Sequence, residues 1–272
     1  MSTGSLILVN GMESQCVPAT DRGLAYGDGV FRTLLLRDGM PQHWERQYRK
    51  LAQDCAVLNL ECPDAELLSI ELQRFGERAP HLVAKIIVTR GSGERGYRYE
   101  SGGSTNRILI AGPPPPDRER RSAEGVRVRR CRLKLAHQPA LAGIKHLNRL
   151  ENVVARSEWQ DAQIGEGVLS DVEGWVIGGT MTNIFAVRDG ALVTPALGEC
   201  GVAGVTRERV LEAAQLHAVM CQVRKVSWGD LMAADELFLV NSVAGVWPVR
   251  QLEERTWPLG PISRSIQAWL DT

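Results

Sequence analysis

Runs of apolar and β-branched residues, bounded by glycine, aspartate or arginine, recur through the first part of the chain. Leu6 to Val9, Val30 to Leu36, Leu82 to Thr89 and Ile108 to Ala111 have the length and composition of strands. Between them, Gln42 to Leu58 contains neither Gly nor Pro, and Trp44, Tyr48, Leu51, Cys55 and Leu58 recur every three or four residues. That spacing sets one apolar stripe on an amphipathic helix. A second helix is predicted over about Pro63 to Phe75, with proline in the first turn, where no N–H is missed.

The pattern breaks at Gly112-Pro113-Pro114-Pro115-Pro116-Asp117. Four prolines suit neither a helix interior nor a central strand. A domain boundary is therefore expected, with an N-terminal α+β domain over 1–113, a Pro-rich linker over 114–121 and a C-terminal domain over 122–272. The charged run Asp117 to Arg121 reads as solvated linker. Beyond it, Val126 to Leu133 alternates like a half-exposed strand. Leu147, Leu150, Val153 or Val154, and Ser157 repeat at helical spacing to about Asp161. Gly167 to Pro195 is strand-like, punctuated by the hairpin pairs Glu173-Gly174 and Asp189-Gly190. A helix is predicted over Thr206 to His217, with Thr206 as N-cap. Strands near Gln222 to Val226, Glu236 to Val240 and Val246 to Val249 precede a last helix ending at Trp269. No internal repeat is present, and the fold class is mixed α+β in two domains.

Charge changes this picture by exclusion. Lys plus Arg (32) equals Asp plus Glu (32), so no global field points to nucleic acid, a membrane surface or an acidic partner. The expected partner is a small molecule recognised by local charge. Six cysteines, Cys16, Cys55, Cys62, Cys131, Cys200 and Cys221, show no C-x-x-C spacing, so reduced thiols are expected, with no metal site. The opening run Met1 to Gly11 has four consecutive apolar residues and no basic leader, unlike a signal peptide. No apolar stretch approaches the roughly 20 residues that span a bilayer. A cytoplasmic enzyme-sized protein is the expectation.

Candidate chemistry concentrates in a few runs. In Leu141-Ala-Gly-Ile-Lys145-His-Leu-Asn-Arg-Leu-Glu-Asn152, a lysine sits where a loop passes into an amphipathic helix. A Schiff-base lysine needs a lowered pKa and a fixed approach, which such a place supplies; residue type alone suits a solvated lysine equally well. Arg90, Arg95 and Tyr97 lie in a Gly-rich loop after a strand, where arginines suit bidentate binding of carboxylates. Gly204-Val205-Thr206 precedes a predicted helix, whose first-turn N–H groups and Thr206 hydroxyl suit a phosphate or serve as a plain cap.

Together these runs carry a resemblance. The Lys145 segment is very like the cofactor-lysine segment of the aminodeoxychorismate lyases, in the branched-chain and D-amino-acid aminotransferase superfamily (fold type IV). Asp21-Arg-Gly-Leu-Ala-Tyr-Gly-Asp28-Gly-Val-Phe-Arg-Thr33 resembles the family's early D-R-x-x-x-x-G-D-G motif. Arg90-Gly-Ser-Gly-Glu-Arg95-Gly-Tyr97 is similar to R-G-S-G-x-R-G-Y. Gly179-Thr-Met-Thr-Asn183-Ile-Phe185 and Gly201-Val-Ala-Gly204-Val205-Thr206-Arg207 resemble the E-G-[ST]-x-[ST]-N-[LI]-F run and the phosphate-cup turn. Each is weak alone; five in the family's order are not.

The resemblance implies pyridoxal 5'-phosphate as cofactor, held by Lys145, by Val205 and Thr206, and by a basic residue matched to Lys50, with Arg49 as the adjacent register. It implies substrate binding by Arg95 and Tyr97, with Arg90 ranked below them and a structural role as its alternative. The implied reaction converts 4-amino-4-deoxychorismate to 4-aminobenzoate and pyruvate in a homodimer whose 122–272 region binds the cofactor. Alternatives are a D-amino-acid or branched-chain aminotransferase, or a weakly active cofactor-binding variant. The last arises because Gly178 stands where the family carries the Glu that faces the pyridine nitrogen.

Overall fold

The computed structural model describes residues 6–99, 102 and 104–271; of the opening run weighed against a signal peptide, residues 1–5 lie outside the described residues. The chain divides into two units, Met1–Pro115 with Ile144–Asn148, and Pro116–Gly143 with Arg149–Thr272.

The first unit contains β1 (Leu6–Val9), β2 (Met12–Glu13), α1 (Arg22–Tyr26), β3 (Gly29–Arg37), β4 (Met40–Pro41), α2 (Trp44–Val57), α3 (Ala65–Gly76), β5 (Leu82–Thr89) and β6 (Asn106–Gly112). Its sheet runs β2-β1-β6-β5-β3-β4, antiparallel throughout. Alternation decides the two faces. Val30, Leu34, Leu36, Ala84, Ile86 and Val88 point to the face where Leu51 and Cys55 of α2 and Leu68, Leu72 and Phe75 of α3 close a buried core. Phe31, Thr33, Lys85 and Ile87 occupy the other face and are half-buried. The predicted helices and strands lie within a few residues of these bounds, because each buries one regular stripe.

The second unit contains α4 (Arg118–Glu124), β7 (Val126–Leu135), a 3-10 turn (Pro139–Leu141), α5 (Leu150–Arg156), β8 (Ile164–Asp171), β9 (Val176–Gly179), β10 (Asn183–Arg188), β11 (Ala191–Pro195), α6 (Val205–Leu216), β12 (Cys221–Arg224), α7 (Trp228–Met232), β13 (Glu236–Asn241), β14 (Gly245–Leu252), β15 (Arg255–Thr256) and α8 (Pro261–Asp271). The sheet order is β12-β11-β10-β13-β14-β7-β8-β9, with β15 on β14. A bridge between Val176 and Val226, just past β12, curls the two ends of the sheet toward each other. Val128, Val168, Ile184, Leu239 and Trp247 fill one face; Phe185, Val187, Phe238 and Val240 pack on the other beneath α6 and α8. Strands covered on both sides read as continuous apolar runs, as Ile184–Val187 and Leu237–Val240 do.

Three expectations give way here. The charged run after the prolines is not linker but α4, in which Asp117 pairs with Arg121 at 2.5 Å one turn on. Thr206 is not the N-cap of α6: Gly204 is, with extended φ and ψ and no side-chain cap bond. The helix after Lys145 is also shorter than its apolar spacing suggests, ending at Arg156.

Candidate active site

Lys145 belongs to the first unit, and its backbone is fixed on both sides. The Lys145 carbonyl accepts from Phe31 N at 2.9 Å, Leu147 N donates to the Gly29 carbonyl at 2.9 Å, and His146 bridges Val30. The segment thus pairs with the start of β3. Lys145 N donates to Asp54 Oδ2 at 3.1 Å. Asp54, on α2, also forms an ion pair with Arg32 of β3, the two side chains only 4% and 3% exposed. Burial pushes the Asp54 carboxyl up, while Arg32, the Lys145 N–H and Lys50 act the other way; the net direction is upward. The Lys145 side chain is half-buried, its ammonium 4.4 Å from the centre of the Phe31 ring.

Lys50 precedes Asp54 by one helical turn and shares its face of α2, half-buried, whereas Arg49 points to solvent. Helix phase therefore places Lys50, not Arg49, on the face that carries Asp54 toward the Lys145 segment. Arg46, one turn earlier again, is half-buried on the same face.

The arginine-rich loop is built by the early motif. Asp28 accepts from Arg22 Nε at 3.0 Å and from Arg90 Nε and Nη2 at 2.8 and 3.1 Å. Burial works against this charge, but the Arg90 and Arg22 hydrogen bonds outweigh it and hold the carboxyl below its ordinary value. The rest of Arg22 donates to the Gly96, Tyr97 and Arg98 carbonyls, at 2.9, 3.0 and 3.3 Å. Arg90 donates further to the Leu58 and Asn59 carbonyls at 2.7 and 3.0 Å. With so many of its N–H groups engaged, Arg90 braces the loop, the structural role the sequence left open beside its lower-ranked place in substrate binding. Arg95 and Tyr97 point outward: Tyr97 is 85% exposed, its ring tilted on that of Tyr26 at 5.4 Å.

The second unit holds the other motif residues. Asn183, at the start of β10, donates to the Val202 carbonyl at 2.8 Å and accepts from Gly204 N at 3.2 Å. It thereby shapes the turn that launches α6. A Cβ on Gly204 would lie 2.5 Å from Asn183 Oδ1, so a larger residue there would have to displace this side chain. Because Gly204 offers no side-chain cap, the first-turn N–H groups at Val205 and Thr206 receive no bond from it, and a helix start of this kind attracts a phosphate. The Val205 and Thr206 side chains are buried.

Gly178 lies buried in β9 opposite Leu169, and a Cβ there would approach the Thr182 carbonyl to 2.8 Å. The nearby buried carboxylate is Glu166 of β8, which the sequence reading missed. Its Oε1 accepts from Gly167 N (2.9 Å), Thr180 N (3.1 Å) and Thr180 Oγ1 (2.5 Å); its Oε2 accepts from Met181 N and Thr182 Oγ1, both at 3.1 Å. Burial pushes this carboxyl up and the hydrogen bonds pull it down, burial prevailing. With its lone pairs taken, Glu166 does not stand in for a carboxylate at 178; it ties down the 179–182 turn next to Asn183. The available signal was a lone acid between glycines in the apolar run Ile164 to Leu169. Asp171 and Glu173, the other acids near Gly178 in sequence, are engaged by His137 and Lys225.

Comparison with known proteins gives the class. The family model described as Amino-transferase class IV matches residues 29–252, and the chain belongs to that family. Among individual relatives, it is 34% identical over 269 residues to aminodeoxychorismate lyase of Vibrio harveyi, covering 97% of this chain and 99% of that one. It is 28% identical to a D-alanine aminotransferase of Bacillus licheniformis, covering 97% of this chain and 95% of that one. A crystal structure of 4-amino-4-deoxychorismate lyase from Pseudomonas aeruginosa superimposes with a TM-score of 0.93 at 46% identity, covering 97% of this chain and 98% of that one.

Proposed function

We propose that this chain is a pyridoxal 5'-phosphate-dependent lyase that converts 4-amino-4-deoxychorismate to 4-aminobenzoate and pyruvate. The observation that carries the reading is the similarity, over nearly its full length, to two lyases of that name, at 34% and 46% identity. The residues present fit the cofactor. Lys145 offers an amine on a backbone fixed at N–H and carbonyl. Lys50 supplies a cation and the Val205–Thr206 helix start supplies N–H donors for a phosphate. When bound, the cofactor supplies an electron sink for the bond-breaking step. In this reading 122–272 forms the cofactor-binding domain and 1–113 the N-terminal domain, joined through 114–121, whose prolines lead into the start of α4.

Lys145 is the group that moves protons. Its half-buried amine takes the proton from the amine-bearing carbon of the substrate and returns one to the departing enolpyruvyl group, which leaves as pyruvate. Aromatisation of the ring draws the elimination forward. Arg95 and Tyr97 bind a substrate carboxylate from the loop braced by Arg22 and Arg90, and the bidentate fork of Arg95 fixes its orientation. The protein works as a homodimer in the cytoplasm. Leu150, Val153 and Val154, which are 73%, 61% and 46% exposed along one side of α5, support an apolar subunit contact. Among the described residues no helix is long and apolar enough to cross a membrane.

Incubation of the cofactor-loaded protein with 4-amino-4-deoxychorismate should release 4-aminobenzoate and pyruvate in equal amounts, the first read by fluorescence and the second by coupled reduction to lactate. Amino transfer from D-alanine or a branched-chain amino acid to 2-oxoglutarate, with no 4-aminobenzoate formed, would instead make the chain an aminotransferase.

A further inference from the structure

The ring of Phe31 carries two ammonium groups. Lys145 Nζ lies 4.4 Å from its centre, and Lys85 Nζ lies 4.6 Å from it. Lys85 comes from the middle of β5, where it pairs with Thr33 of β3, and Phe31 pairs with Ile87. Residues two apart on paired strands share a face, so Lys85, Thr33, Phe31 and Ile87 lie together, on the side of the sheet away from the α2 and α3 core. Sequence patterning absorbed Lys85 into the apolar strand Leu82–Thr89 and gave it no task.

Lys85 differs from three arginines of this unit that have an anion. Arg22 and Arg90 share Asp28, and Arg32 has Asp54. For Lys85, the described residues provide no hydrogen bond and no ion pair; its one charged contact is the Phe31 ring. Burial alone pushes its ammonium down, with no carboxylate acting in the other direction. A ring face is worth about 0.5–2 kcal/mol to a cation, whereas removing an ammonium from water without an anion costs more. A charge kept in that state, next to the reacting lysine and among apolar neighbours, favours an incoming anion.

We propose that Lys85 binds a carboxylate of the substrate whose amine is handled at Lys145. The identity of that anion rests on the lyase reading above, in which the substrate carries two carboxylates. Arg95 and Tyr97 take one, and Lys85 takes the other, with the Thr33 hydroxyl beside it. Lys85 is then a determinant of specificity for dicarboxylates, and an amino acid with a single carboxylate leaves its charge unanswered.

The probe is chorismate, which carries both carboxylates but a hydroxyl in place of the amine, so it binds without reacting at Lys145. Titration calorimetry on the cofactor-loaded protein should show its Kd rising about tenfold or more in Lys85→Met. Lys85→Arg should restore it to within about threefold, since the charge is kept. Melting temperature and the cofactor absorption band should be unchanged in both variants. A Lys85→Met protein that binds chorismate within about twofold of the unsubstituted chain overturns the proposal. So does a loss of binding accompanied by a lost cofactor band, which would mark a structural role, and so does an unsubstituted chain that does not bind chorismate. Binding that depends on Lys85, in a protein that forms no 4-aminobenzoate, upholds the carboxylate site while removing the lyase reading.

Discussion

Replacing Asp54 tests how the Lys145 backbone is held. Its carboxylate meets Arg32 in a pair with both side chains almost fully buried, and it accepts the Lys145 N–H at 3.1 Å. Asp54→Ala leaves the Arg32 guanidinium inside without its anion, which costs about 3–5 kcal/mol. The orphaned Lys145 N–H adds about 1 kcal/mol or more. Against a total stability of about 5–15 kcal/mol for a typical protein, that is a large fraction, and the melting temperature should fall by about 6–20 °C. The double variant Arg32→Met with Asp54→Leu removes both charges together and should cost far less than the two single changes added, because no charge is stranded. Urea unfolding of the two single variants and the double gives the coupling energy, and titration with pyridoxal phosphate, read by absorbance, reports whether Lys145 still presents its amine. An Asp54→Ala protein within about 1 kcal/mol of the parent, or a double variant costing the full sum, would refute the argument.

Borohydride reduction of the cofactor-loaded protein followed by peptide mapping should place the pyridoxyl group on Lys145; label on Lys50 or Lys85 instead would remove that assignment. Arg95→Ala should lower kcat/KM by about 2–4 kcal/mol with the cofactor band unchanged, and an unaltered kcat/KM would dismiss Arg95 from substrate binding. Asp28 has a folded-state pKa below its ordinary value of 3.8, so its contribution is present above about pH 4 and is lost as pH falls through the folded value. The parent should therefore lose stability between about pH 5 and pH 3 more steeply than Asp28→Asn, and parallel melting curves would contradict this. Gly178→Ala should destabilise by about 1–3 kcal/mol, because its Cβ would meet the Thr182 carbonyl rather than a yielding side chain; an unshifted melting curve would show that the 179–182 turn gives way freely.

Elements with one regular buried stripe were legible from spacing alone. β1 and β5 span Leu6–Val9 and Leu82–Thr89, as their apolar runs indicate, and α2 keeps the phase that Leu51 and Cys55 set. The order of the motifs likewise carried the family, since each is a short continuous run. What the sequence could not state were pairings between distant positions. Arg32 and Asp54 are 22 residues apart, and nothing local marks them as partners. Glu166 gathers its donors from Gly167 and from Thr180 to Thr182, and only the hairpin of β8 and β9 brings the latter near. Thr206 was the cap that spacing indicated; the structure starts α6 at Gly204 instead, whose N–H is held by Asn183, 21 positions earlier. Lys85 reads as one polar residue in a strand until the sheet sets it on the same ring as Lys145. Periodicity records which side of an element is buried. A stranded charge, a saturated carboxylate or a braced lysine depends on which groups the folded chain brings within hydrogen-bond reach, and that is settled only when the tertiary structure forms.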